Sequence, residues 1–352
     1  MNLVIIGFGG MGGYHADCLE KYGKERGKNA LKVYGVYDID EERMRVAAER
    51  GFKTYRDPEE IWADKAVDAV LIATPNDLHE QYAEAAAAAG KNIISEKPIA
   101  CDSKQAERMY AAAEKAGVVF EVHQNRRWDD DYLTVKGILE SGVIGDVYRI
   151  ESRVMGANGI PGAWRKEKAR GGGMMLDWGV HLIDQMLLMV DSPVVSLYCD
   201  YSYIYGEEVD DGFDLVAKFE NGIECRILVA TDCFRPLPRW QVYGTMGTAT
   251  IADWDLSGGI TRDVPEGKDQ VKGIQAGNGF TRTMAPRTGN SVEELPVPAV
   301  HAKPFAFYDN FVAACEGREE RAIRKGQVLR VFRFMEAAER SARENIVIKE
   351  KI

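Results

Sequence analysis

Short apolar runs alternate with helical patterns through the first third of the chain. Leu3–Ile6, Leu31–Tyr37, Ala69–Ala73, Asn92–Ile94 and Val118–Val122 read as buried strands, since brief apolar runs bounded by turn residues suit a sheet covered on both faces. Between them, Glu41–Arg50, Asp77–Ala89 and Ser103–Ala116 are rich in Ala, Glu, Lys and Arg. They close on Gly51, Gly90 and Gly117, where a C-cap is expected. This alternation predicts an α/β domain, a doubly wound parallel sheet, over residues 1–122.

After His123 the pattern changes. A helix near Tyr132–Glu140, a strand at Val147–Val154, a break at Gly171-Gly172-Gly173 and another helix precede a series of strands. Val194–Ile204, Asp214–Phe219, Ile223–Thr231, Arg239–Gly244 and Thr248–Ala252 follow one another with turn signals between them, Glu220-Asn221-Gly222 being the clearest hairpin. They predict an α+β second domain over residues 123–352, built on a large, mainly antiparallel open sheet. Helical patterns at Phe305–Cys315 and Gln327–Arg343 close the chain and can pack back on the first domain. From Asp255 to Ala302 the sequence thins into Gly, Pro, Thr and Asp, which reads as a surface excursion: a mobile loop, a lid or an oligomer contact.

Composition narrows the partners. With 352 residues, 45% of them hydrophobic, the chain exceeds what one core usually serves, roughly 250–300 residues. A net charge of -10 without a basic stripe argues against nucleic acid. No run approaches the ~20 apolar residues of a membrane span, and the N-terminus lacks the features of a signal peptide. Six cysteines at irregular spacing, without a CxxC pair, suit a reduced cytoplasm and give no metal site. A small molecule is the expected partner.

Gly7-Phe8-Gly9-Gly10-Met11-Gly12 follows the first strand and opens a helix, the context that makes GxGxxG a dinucleotide motif. Gly7 permits the tight turn, Gly9 lets backbone approach a pyrophosphate, and Gly12 lets helix and strand pack closely. The next strand ends on Asp38, whose carboxylate can accept hydrogen bonds from both ribose hydroxyls and would repel a 2′-phosphate. NAD is therefore expected over NADP. A lengthened connection at Tyr22–Asn29 accounts for Asp38 lying beyond the usual ~20 residues.

Two further segments, Ala73-Thr74-Pro75-Asn76-Asp77-Leu78-His79 and Ser95-Glu96-Lys97-Pro98, follow strands at their carboxyl ends, the edge at which open α/β sheets bind ligands. With the glycine motif and Gly171-Gly172-Gly173-Met174-Met175-Leu176-Asp177-Trp178-Gly179-Val180-His181-Leu182-Ile183-Asp184, they make the chain resemble the Gfo/Idh/MocA family, which includes glucose–fructose oxidoreductase and inositol dehydrogenases. The resemblance covers Met1 to about Ala252 and, more loosely, the C-terminal helices. It implies that Lys97, Asp177 and His181 are catalytic, and that Glu96 and the turn Thr74, Pro75, Asn76 line the nicotinamide ring, with His79 packed near that turn. It further implies that Gln124, Asn125 and Arg127 border the active site and that Trp164 and Arg165 approach nicotinamide or substrate. Asn158 joins Asn125 and Arg127 as a candidate substrate contact, although Arg126 and Arg127 could equally be surface residues paired with Asp129–Asp131.

Residue chemistry points the same way. Asp177 and His181 are four apart in a helical pattern and share a face, and an imidazole with an ordinary pKa of about 6.5 can take a hydroxyl proton near neutral pH. Lys97 can stabilise the developing alkoxide, while Asp177 can orient His181 or hold a neighbouring substrate hydroxyl. His15 and His301 read as having no chemical role. The expected activity is NAD-dependent hydride transfer from a secondary hydroxyl of a sugar, cyclitol or related polyol. Redox-assisted glycoside cleavage or elimination through a transient keto-sugar is the alternative, and a non-catalytic NAD sensor a third reading. The resemblance also implies a homodimer or homotetramer formed through the open sheet.

Overall fold

The computed structural model describes residues 1–27, 30–264, 274–281 and 291–352. In the first domain, strands β1 (Asn2–Ile6), β2 (Lys32–Tyr37), β3 (Lys53–Thr54), β4 (Ala69–Ile72), β5 (Asn92–Ser95) and β6 (Phe120–Val122) form one parallel sheet in the order β3-β2-β1-β4-β5-β6. Order reverses between β1 and β4, so the sequence places the glycine turn at the crevice where such sheets bind ligands. Leu3, Val4, Ile5 and Ile6 are wholly buried, as are Ala69 to Ile72, because helices cover both faces. Those helices are α1 (Gly10–Arg26), α2 (Glu41–Glu49), α3 (Pro58–Ala63), α4 (His79–Ala88) and α5 (Ser103–Ala116). Asp40, Asp57 and Asp102 cap α2, α3 and α5 by accepting backbone N–H groups, and Gly117 closes α5 in the left-handed region at φ 69°.

The structure corrects the connection before β2. Tyr22 to Arg26 belong to α1, so the extra length before Asp38 is largely a longer helix; Lys28 and Asn29 lie outside the described residues. Neither β3 nor α3 is evident from periodicity, one being two residues long and the other six.

The second domain holds α6 (Asp130–Ser141), β7 (Val147–Met155), α7 (Val180–Met189), β8 (Val194–Ser202), β9 (Gly212–Phe219), β10 (Glu224–Ala230), β11 (Trp240–Gly244) and β12 (Gly247–Ile251). It continues through β13 (Gly258–Asp263), a small hairpin of β14 (Ile274–Ala276) and β15 (Gly279–Thr281), β16 (Val292–Leu295), α8 (Ala306–Cys315) and α9 (Lys325–Glu344). Eight strands form a sheet in the order β16-β13-β12-β11-β7-β10-β9-β8, antiparallel except where β10 meets β7. The Asp255–Ala302 stretch is therefore only partly an excursion: β13 and β16 extend the sheet at its edge. The parts of it at 265–273 and 282–290 lie outside the described residues, and with them any lid or contact there.

Alternation decides which face is covered. Cys225, Ile227 and Val229 of β10, with Phe213, Leu215 and Ala217 of β9, point to the buried side, where α7 and α9 pack. The opposite face carries ion pairs between neighbouring strands, Arg149–Glu224 at 2.8 Å and Arg226–Asp214 at 2.5 Å. The C-terminal segments do pack back: Arg321 donates to Phe120 O and Ile323 N–H to Glu121, both at the end of the first sheet.

Candidate active site

The cofactor-facing turn is built by exclusion of side chains. Gly7 holds φ +93°, and a Cβ there would lie 2.7 Å from Ala73 O; one on Gly12 would lie 2.1 Å from Gly7 O. Both glycines are demanded by the protein itself. Gly9 is different: its backbone sits at φ -77°, and a Cβ would meet only the flexible guanidinium of Arg43, at 3.3 Å. The space kept clear at Gly9 is on the outside of the fold, as a bound diphosphate requires. Helix α1 begins there without an acidic residue in its first turn or a side-chain cap, so its N–H groups and positive dipole end are free for an anion. These residues fit a dinucleotide.

A cleft of about 650 Å³ runs from this turn across the sheet edge. Gly7, Gly9, Gly10, Met11, Asp38, Thr74, Pro75, Asn76, Glu96, Lys97, Trp164 and Arg165 all line it. Asp38 is held in place by two backbone bonds, Phe8 N–H to Oδ2 at 2.6 Å and Asp40 N–H to Oδ1 at 2.9 Å, with Arg43 Nη1 3.4 Å from Oδ2. Phe8 itself turns away, packing edge-on against Phe52. His79 also stands behind the cleft, packed against the Thr74 turn. It is fully buried, its ring nitrogens 3.0 Å from Thr74 O and 3.0 Å from Pro98 O, so it ties the two cofactor turns together. Burial lowers its pKa. Gln124 is likewise buried, donating to Val180 O at 3.0 Å, and is no wall of the cleft.

The second domain seats on the same edge. Asn76 Nδ2 donates to Gly171 O at 2.8 Å, and Cβ atoms on Gly171, Gly172 or Gly173 would strike Cys101, Arg165 O and Asp210 respectively. After the three glycines the chain makes a π-helical turn, Met175–Gly179, before α7; such insertions recur at functional sites. This turn brings Asp177 to Lys97, with Nζ 2.9 Å from Oδ1 and 3.0 Å from Asp177 O. Arg165 Nε lies 3.2 Å from the same Oδ1, a charge neighbour without the alignment of a hydrogen bond. Burial opposes the Asp177 charge, but Lys97 and Arg165 outweigh it and hold the carboxyl below its ordinary pKa.

His181 follows on α7, buried, with Trp178 edge-on at 6.1 Å. No hydrogen bond joins it to Asp177 among the described residues, and its Nδ1 has no partner, so the shared helix face does not make Asp177 its orienting group. Burial first, then Lys97 and Arg126, lower its pKa well below the ordinary imidazole value. The ring is neutral at physiological pH.

Two expected substrate contacts are placed otherwise. Arg127 forms a two-point bond to Asp184, at 2.8 and 2.6 Å, and donates to Gln327 and Ala322 O, so it is an interior clamp and not a substrate contact. Asn158 is exposed after β7, whereas Asn125 is half-buried on a short helical turn beside Arg126.

Sequence reasoning missed a cluster beneath the site. His15 Nε2 and His123 Nδ1 lie 2.7 and 2.8 Å from Glu96 Oε1, and Tyr308 OH lies 2.7 Å from His15 Nδ1. All are buried, and the three ligand atoms fall within 4.8 Å of one another, as a metal-binding set would. Each short contact is also that of a nitrogen donating to one carboxylate oxygen, which burial and a neighbouring imidazole favour by keeping His15 deprotonated. Glu96 stays ionised despite burial because both histidines face it. The one available signal was position: His15 is three residues beyond Gly12, and His123 directly follows β6 at the carboxyl edge.

A dinucleotide cradle opening onto an ion pair and an uncharged imidazole is the arrangement of an NAD-binding oxidoreductase. The chain belongs to the GFO/IDH/MocA family: residues 1–124 match its "Oxidoreductase family, NAD-binding Rossmann fold" and residues 132–250 its "GFO/IDH/MocA C-terminal domain". The chain is similar to a crystal structure of an NAD-binding protein from Listeria innocua, 44% identical over 99% of both chains with a TM-score of 0.95. It is 31% identical to the myo-inositol 2-dehydrogenase of Thermotoga maritima over 63% of this chain and 66% of that one. It is 24% identical to the scyllo-inositol 2-dehydrogenase (NADP(+)) IolW of Bacillus subtilis, over 82% and 81%. No helix among the described residues is long and apolar enough to cross a membrane.

Proposed function

We propose that the protein oxidises a secondary hydroxyl of a sugar, cyclitol or related polyol, with NAD as the hydride acceptor. The observation that carries this reading is the Lys97–Asp177 pair, 2.9 Å apart, whose lysine lines the cofactor cleft, with neutral His181 buried nearby. When bound, NAD supplies the electrophilic carbon that takes the hydride. Lys97, fixed by Asp177, places a positive charge where an alkoxide develops. Asp177 stays ionised and so keeps the ammonium oriented toward the cleft. His181, kept neutral by burial and the nearby Lys97 charge, accepts the hydroxyl proton. Relatives named for inositol oxidation support the polyol class.

Asp38 supports NAD over NADP, because its carboxylate faces the cleft and would repel a 2′-phosphate, although Arg43 lies close enough to soften that repulsion. The open sheet face supports a homodimer or homotetramer. The test is a rate panel of sugars, cyclitols and open-chain polyols with each cofactor at equal salt. NADH formation with at least one polyol is expected; preference for NADP would overturn the cofactor assignment, and glycoside cleavage without net NADH would replace the dehydrogenase reading.

A further inference from the structure

Beside Lys97 and His181 stands a stack of aromatic rings and guanidinium groups that the hydride-transfer chemistry does not use. Trp178, the residue after Asp177, packs on Trp254 with ring centroids 6.1 Å apart. The Arg126 guanidinium lies 4.3 Å from the Trp178 ring centre and 5.2 Å from that of Trp254. Arg239 lies 4.5 Å from Trp254 on its other flank and 4.7 Å from Trp240. Trp254 comes from the turn between β12 and β13, far in sequence from the catalytic helix, yet it reaches Trp178, which itself touches His181.

Three features set this stack apart from ordinary packing. Trp254 leaves 44% of its surface exposed although two guanidinium groups fix its position, an arrangement that presents an indole face instead of burying it. Arg126 Nη1 donates to Asp129 at 2.8 Å, which holds the guanidinium against both indole rings. Finally, the cofactor cleft is lined by Trp164 and Arg165, whereas Trp178, Arg126 and Trp254 stand outside its walls. One tryptophan–arginine pair thus lines the cofactor cleft, and the other stands apart from it beside His181.

We propose that Trp254, backed by Arg126 and Arg239, is the specificity-determining wall of the substrate chamber, and that it selects a ring-shaped polyol, a cyclitol or pyranose, over an open-chain one. This rests on the polyol reading above. A six-membered polyol ring has an apolar C–H face that can lie flat on the exposed indole. An open-chain polyol has no persistent flat face and must lose rotational freedom to imitate one.

The test compares kcat/KM for myo-inositol and D-glucose with that for D-sorbitol, in wild type, Trp254→Ala and Trp254→Phe. Trp254 is 44% exposed and lies outside the hydrophobic core, so both variants should fold. In Trp254→Ala the ring substrates should lose about tenfold in kcat/KM, mainly through KM, and the ring-to-chain ratio should fall by a similar factor. Trp254→Phe should restore most of that ratio, and NAD affinity should be the same in all three proteins. A ratio unchanged in Trp254→Ala, with wild-type turnover of polyols intact, overturns the wall alone. Wild type inert toward every polyol with either cofactor overturns the polyol reading, and the wall with it.

Discussion

The cofactor cleft and the proposed catalytic and substrate wall of this protein are made from different materials. The cleft is shaped by backbone: glycines at 7, 9 and 12, the free N–H groups of α1, and one carboxylate, Asp38, itself fixed by main-chain bonds. The wall is shaped by side chains from scattered elements: Lys97 after β5, Arg126 after β6, Asp177 in a π-helical turn, His181 on α7 and Trp254 beyond β12. A cofactor common to many reactions can be met by backbone, which tolerates sequence change. A substrate needs side chains, and each can be exchanged without disturbing the cradle.

The comparison breaks most readily at its chemical end. Lys97→Ala and His181→Ala should each lower kcat by about 100-fold or more while leaving NAD affinity within threefold, read by titration and single-turnover rates. Their double variant should cost less than the product, since groups acting on one transition state are not additive. A His181→Ala enzyme within threefold of wild type would remove the imidazole from the proton transfer.

Within the cleft, two glycines should separate binding from folding. Gly9→Ala should weaken NAD at least tenfold with Tm changed by no more than ~1 °C, because the added methyl meets no backbone in the protein. Gly12→Ala should instead destabilise the fold by about 2 kcal/mol or more, its Cβ driven to 2.1 Å from Gly7 O. Equal loss of Tm in both would show that Gly9 serves the fold and not the ligand.

A pH profile sharpens the wall. As the proposed base, His181 would act when neutral, so activity should fall as pH drops through its pKa; burial, Lys97 and Arg126 move that point down. The acidic limb of kcat/KM assigned to His181 should therefore lie below about pH 6.5, the ordinary imidazole value, not near it. An acidic limb at or above that value, lost in His181→Ala, would contradict the buried, neutral ring. The smallest effect concerns Glu121, whose pKa burial pushes up to about 7. Between the unfolded carboxyl value near 4.3 and about 7 the folded chain holds the extra proton, so stability falls as pH rises through that window. Glu121→Gln should raise Tm at pH 8 by a few degrees, roughly, and less at pH 5.

Most of the cleft was legible because its cues are local. Gly7 to Gly12, Asp38, Thr74 to Asn76 and Lys97 each sit just past a strand whose apolar run reveals it, and the sheet's edge then gathers them. The strands of the second domain were legible by alternation up to β12. Beyond it, β13 and β16 are rich in Gly, Thr, Arg and Glu, as an edge facing water allows, so no apolar run marks them. What a single sequence conceals is pairing at long range. Arg127 to Asp184, His15 to Tyr308 and Trp178 to Trp254 join positions 57, 293 and 76 residues apart. Nothing in local composition tells which of two adjacent arginines turns inward.

Tyr308 gives the base of the cofactor site a temporal character. During synthesis the glycine turn, Glu96 and Lys97 emerge within the first 100 residues, but the hydroxyl that closes on His15 arrives some 293 residues after its partner. Glu121 and Arg127 wait similarly for Ile323 and Gln327. A nascent first domain would thus hold its nucleotide cradle over an interior still lacking partners for polar groups, and a fragment ending near β6 would not be a miniature of the whole enzyme. The segments around α8 and α9 act as a completion step, closing an interior that the first domain alone leaves open.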